Sequence, residues 1–109
     1  MTCSIDMHFP RADLDEAMRL LHSVVGVTEA RQGCRACTVI QDAVDDSRVL
    51  YSEVWDSRNR FHEHVRTDEF RRVLLAMDMC CEQPQVFVEN LAGRRGLAHL
   101  RTLRGARET

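Results

Sequence analysis

The sequence predicts one α+β domain of ferredoxin-like βαββαβ order, with a four-stranded antiparallel sheet and both helices on one face. Three observations carry this reading. A clean two-residue alternation opens the chain, two stretches have helical spacing, and two β-prone runs joined by a polar turn lie between them. At 109 residues, 44% hydrophobic and 29% charged, the chain has material for one core and is not disordered throughout.

In residues 3–9, Cys3, Ile5, Met7 and Phe9 alternate with Ser4, Asp6 and His8, the pattern of a strand that Pro10 ends. Asp13 with Glu16 three residues on forms a helix-start capping arrangement. Leu14, Ala17, Met18, Leu21, Val24 and Val25 then trace an apolar face to about Arg31, and Gly33 supplies a helix stop. The β-prone runs Cys34–Gln41 and Arg48–Trp55 flank a turn cluster at Asp42–Ser47, which makes a hairpin. Ser57 can cap a helix on which Phe61, His64 and Val65 share a face. Thr67–Asp68 can restart it, with Phe70, Val73, Leu74 and Met77 continuing a buried stripe to about Glu82. Pro84 breaks that helix and Val86–Leu91 reads as the last strand. Gly93 and Gly96 bracket a link, and Leu97, Leu100 and Leu103 suggest a terminal helical turn. The expected division is a domain over 1–93 and a basic, partly helical tail over 94–109.

A sheet with helices on one side leaves a second face to cover. Cys3, Ile5, Met7 and Phe9 occupy one face of the first strand, and Leu50 and Val54 one face of the third. If that apolar face points away from the helices, it exposes several hundred Å2, more than monomers usually leave wet. The expected remedy is a homodimer with two sheets packed face to face.

All 15 basic residues are arginine. Without lysine there is no side-chain Schiff base and no phosphate-loop lysine, and the five glycines form no dinucleotide-binding pattern. Net charge is −2, which argues against a nucleic-acid partner. Arg94, Arg95, Arg101, Arg104 and Arg107 against Glu108 make the tail +4, a solvated face without interleaved aromatics. No apolar run approaches a membrane span. Cys3, Cys34, Cys37, Cys80 and Cys81, an odd count behind no secretory leader, point to free thiols in a reducing cytoplasm.

The segment Gly33-C-R-A-C-T-V-I-Q and the segment Asp45-D-S-R-V-L-Y-S-E-V-W-D-S-R-N-R-F-H-E-H-V-R-T-D-E-Phe70 resemble the antibiotic biosynthesis monooxygenase family. Gly33–Cys34 opens a strand, Glu53-Val-Trp55 ends the next, and Phe61, His64 and Phe70 follow, within an element order that matches over about residues 3–91. The resemblance implies a dimeric α+β barrel with a pocket between sheet and helices in each subunit. It implies oxygenases that act on quinols or aromatic polyketides without metal, flavin or heme, so no cofactor is expected. Polyketide-oxygenase members carry an asparagine where this chain has Tyr51. Heme-degrading members carry a tryptophan in place of His64 and a histidine in place of Leu74, and leucine cannot ligate iron.

Tyr51, Glu53 and Trp55 alternate and project to one face, with His64 and Phe61 on the helix that follows. Together they suggest a cleft for a flat phenol, in which a base takes the phenolic proton and the anion reduces O2 in a dry cavity. The expected catalytic residues are His64, whose class of side chain titrates near neutrality, and Trp55; Tyr51, Phe61, Asp6 and Phe70 are the expected substrate contacts. This reading calls for a cavity of about 300 Å3 or more touching His64 and Trp55. Asp6 and His8 share a strand face, as a carboxylate–imidazole pair or as ordinary polar surface, and the alternative to catalysis for Glu53 is a pair with an arginine.

Two other classes remain open. One is a dimeric ligand-binding or structural module of the same fold without chemistry. The other is a thiol redox sensor using Cys34 and Cys37, although their C-x-x-C enters a strand rather than a helix. No metal site is expected, since Cys80 and Cys81 diverge by about 100° on a helix and His62 and His64 by about 200°.

Overall fold

The computed structural model describes residues 1–90 and 93–105, with backbone alone for 93–95. Leu91, Arg107 and Glu108, and the side chains of Arg94 and Arg95, lie outside the described residues. The chain runs β1 (Thr2–His8), α1 (Leu14–Glu29), β2 (Cys34–Gln41), β3 (Arg48–Trp55), α2 (Arg58–Val65), α3 (Asp68–Asp78), β4 (Gln85–Asn90), β5 (Gly93–Arg95) and α4 (Leu97–Gly105). The fold is the predicted α+β one, in a sheet of order β2-β3-β1-β4-β5 whose neighbours are all antiparallel. The fifth strand was not expected. It is three residues long and satisfies the open edge of β4, pairing Val88 with Arg95 and Asn90 with Gly93.

Local chemistry explains the element ends. Ser57 accepts from Arg60 N at 3.2 Å and Thr67 from Phe70 N at 3.3 Å, so the predicted restart separates α2 from α3. Asp13 precedes α1 but makes no side-chain capping bond. A 3-10 turn over Arg11–Asp13 already holds its backbone in a helical conformation, so the extended cap geometry is lost. α1 and α3 stop at Glu29 and Asp78, short of the expected Arg31 and Glu82. Gly33 has φ +90°, the left-handed conformation glycine adopts without strain, and its carbonyl accepts from Asp56 N at 2.7 Å.

The sheet has one covered face and one open one. Cys3, Ile5 and Met7 stand opposite Glu53, Tyr51 and Val49 in register, and all six are buried beneath the helices. The apolar side of β1 therefore turns toward the helices, which corrects the premise that it forms the uncovered face. Leu50 and Val54 pair with Asp6 and Thr2 on the other side, where Leu50 is 41% exposed and Ile40 is 56%. Leu100 of α4 is fully buried in the core, and Arg104 Nη1 donates to the carbonyls of Val65 at 2.6 Å and Thr67 at 3.2 Å. The C-terminal helix thus satisfies carbonyl groups at the end of α2. No helix among the described residues is long and apolar enough to cross a membrane.

Candidate active site

Alternation along β3 places Tyr51, Glu53 and Trp55 on the covered face, and all three are buried. A buried carboxylate must find donors, because desolvating it unpaired is costly. Glu53 finds three. Tyr51 donates its hydroxyl to Oε2, Trp55 Nε1 donates to Oε1 at 2.9 Å, and His64 Nε2 lies 2.8 Å from Oε2. Behind Tyr51, Cys37 Sγ lies 3.3 Å from the phenol oxygen. Burial, and then the Glu53 charge, push the Tyr51 phenol far above its ordinary range, which keeps it a donor.

α2 brings His64 to this carboxylate and α3 packs around it. The imidazole lies 4.9 Å from the Trp55 ring, tilted by 35°, and meets Phe70 edge-on at 5.3 Å. In the neutral ring, an Nε2–H directed at Glu53 leaves the lone pair on Nδ1, which is buried and has no hydrogen-bond partner. Glu69 Oε2 stands 3.7 Å from Nδ1 and is itself tied to Arg31, whose Nε and Nη2 bond its two carboxylate oxygens. That bidentate pair holds the Glu69 carboxyl below the usual range.

A cavity of about 250 Å3 opens here, lined by Arg31, Gln32, Trp55, Arg60, Glu63 and His64. It touches the two expected catalytic residues and is somewhat smaller than the anticipated ~300 Å3. The other expected contacts do not line it. Tyr51 sits behind Glu53, and Phe61 and Phe70 are fully buried, Phe70 against the imidazole. The cavity is therefore polar at its rim, with Trp55 beside His64, rather than the cleft of Tyr51, Trp55, Phe61 and His64 that was expected.

Asp6 is on the opposite face of the sheet. There it lines a separate depression of about 290 Å3 with Ile40, Asp42, Arg48, Val49 and Leu50. His8 does not pair with Asp6; it reaches Glu82 at 3.3 Å, Ser47 at 3.1 Å and Asp45 at 3.5 Å. Among the described residues no group of three or more His, Cys, Asp or Glu side chains could hold a metal ion.

The family model for antibiotic biosynthesis monooxygenases matches residues 2–74, two thirds of the chain. The chain belongs to the antibiotic biosynthesis monooxygenase family. Among solved structures, a crystal structure of an antibiotic biosynthesis monooxygenase is 22% identical at a TM-score of 0.73, over 83% of this chain and 97% of that one. A conserved protein from Methanosarcina mazei Go1 is 19% identical at 0.72, over 78% and 85% of the two chains. A Mycobacterium tuberculosis protein is 22% identical at 0.67, over 83% and 94%. At such identities the likeness is one of fold. None of the curated proteins matches the chain. The family's matched span contains every residue of the Glu53 cluster and of the cavity rim.

Proposed function

We propose that the protein is a cofactor-independent monooxygenase that oxidises a small aromatic, quinol-like substrate with O2. The observation that carries the reading is Nδ1 of His64, a buried nitrogen without a hydrogen-bond partner and 3.7 Å from Glu69 Oε2, on a side chain that lines the cavity, with Nε2 anchored on Glu53. In this reading Nδ1 takes the phenolic proton, and the phenolate gives one electron to O2. The resulting semiquinone and superoxide couple to a ring hydroperoxide, with the proton returned by His64. Loss of the ring hydrogen with hydroxide then breaks the O–O bond, so one quinol and one O2 become one hydroxyquinone and one water. Trp55 walls the ring, and Glu53 fixes the tautomer without touching substrate.

Oxygen uptake with a panel of quinols tests this directly. Wild type is expected to turn over at least one, and His64→Ala to lose the rate by about 10²–10⁴-fold. Equal rates in the two proteins would remove His64 from the mechanism.

Two further features belong to the same reading. The open sheet face, with Leu50 and Ile40 exposed, supports a homodimer formed through it, which sedimentation at micromolar concentration checks. Free cysteines accord with a reducing cytoplasm. The redox-sensor alternative has weaker support: burial raises the Cys34 thiol and pushes Cys37 up to about 12, which starves both of thiolate.

A further inference from the structure

We propose that the cavity recognises an acidic substrate: a one-ring phenol or quinol bearing a carboxylate, with the carboxylate on Arg60 and the hydroxyl on Nδ1 of His64. The inference rests on the reading of His64 as proton acceptor and adds to it the chemical class of the substrate.

The argument begins with Arg60. It stands four residues before His64 on α2, so the two share a helix face, and both line the cavity. Its stem is seated on Gly33, where a Cβ would come within 2.7 Å of Arg60 Cγ and 3.0 Å of its Cβ. The absent side chain at Gly33 lets the arginine stem lie against the loop between α1 and β2. Its ion pair with Glu63 is long, 3.5 Å, and half-exposed, so it is a weak competitor for that charge.

Two more donors stand at the rim. Arg31 commits Nε and Nη2 to Glu69, two of the five N–H bonds of a guanidinium. Gln32 lines the cavity beside it. The site therefore offers cationic donors at its edge beside the Glu63 carboxylate, and one nitrogen without a hydrogen-bond partner, Nδ1 of His64. A neutral quinol satisfies Nδ1 and leaves Arg60 with only its long pair to Glu63. An aromatic hydroxy acid satisfies both, since a carboxylate matches the guanidinium fork in a charge-assisted pair. At about 250 Å3 the space falls below the ~300–1,000 Å3 typical of drug-sized ligands, which favours a single ring.

Trp55 is the only tryptophan in the chain and lines the cavity, so its fluorescence reports occupancy. Hydroquinone and 2,5-dihydroxybenzoate differ by one carboxylate and are titrated against wild type, Arg60→Gln and Arg60→Lys. The expected result is that wild type binds the acid at least about tenfold more tightly, about 1.4 kcal/mol. Arg60→Gln should abolish that preference and Arg60→Lys restore part of it, with unchanged circular dichroism showing that the variants fold. Equal affinities in wild type, a preference that survives Arg60→Gln, or no binding of either probe at millimolar concentration would each overturn the proposal. The oxygenase reading fails separately: an acid preference without oxygen uptake keeps the anion site and removes the oxidation. Turnover of hydroquinone without an acid preference does the reverse.

Discussion

His64 Nε2 lies 2.8 Å from Glu53 Oε2, and neither side chain is exposed at all. The carboxylate decides which nitrogen carries the hydrogen and keeps the ring from turning, while Trp55 and Phe70 hold its plane. Glu53 is thus a positioning residue for the proposed base.

Replacing Glu53 by glutamine keeps the shape and removes the charge. Its amide can offer a donor where an acceptor is needed, so the imidazole tautomer is no longer fixed. The proposed turnover should fall by about 10²-fold or more, with the pH–rate profile displaced, whereas KM moves little. A merely structural role would leave the pH profile in place.

Glu53→Leu should be costly to the fold as well. Tyr51, Trp55 and His64 would each keep a buried polar group without its partner, and breaking a buried pair costs about 3–5 kcal/mol. Urea unfolding with unchanged slope measures it; a loss under 1 kcal/mol would show that water replaces the carboxylate.

Glu69 should shape the acid limb of the stability curve. Arg31 lowers its folded pKa beneath the unfolded value of about 4.3, so the folded form gains from its ionisation. That gain is fully present above about pH 4.3 and disappears as pH falls through the depressed folded value. Glu69→Gln should flatten this part of the limb and leave the rest in place, as judged by urea midpoints from pH 3 to 7.

Gly33→Ala tests the seat of Arg60. The left-handed backbone and the 2.7 Å approach to Arg60 Cγ together predict a loss of about 1–3 kcal/mol. Thermal unfolding reads the loss; an unchanged Tm would mean that the loop re-forms without strain.

The cysteines should separate by burial. Cys81 is exposed, while Cys3 and Cys37 are buried with thiols raised by desolvation. A thiol reagent at pH 7 should label Cys81 first and reach Cys3 and Cys37 only on unfolding, which peptide mapping resolves. Early labelling of Cys37 would revive the redox reading.

Much of the fold was legible because period-two and helical patterns are local. β1 alternates without a break, and Ser57 and Thr67 cap the helices they were expected to cap. Which side of β1 faces the helices is a tertiary fact, and alternation alone does not choose it. The same limit misplaced Asp6, since a polar strand face reads alike whether it meets a cleft or solvent. Glu53 carried a usable signal: a carboxylate between Tyr51 and Trp55 on an inward face has to be paired. Arg60, four residues before His64, carried one too. The Arg31–Glu69 pair joins positions 38 apart and left no local trace.

One carboxylate receiving three donors also governs the order in which the sequence can change. A lone substitution at Glu53 strands three partners at once, whereas Tyr51 or Trp55 can lose a donor and leave the carboxylate two. Lineages that abandon the polar cluster are therefore expected to shed it from its edges inward. The glutamate goes last, after its neighbours have become apolar and there is nothing left for it to bind.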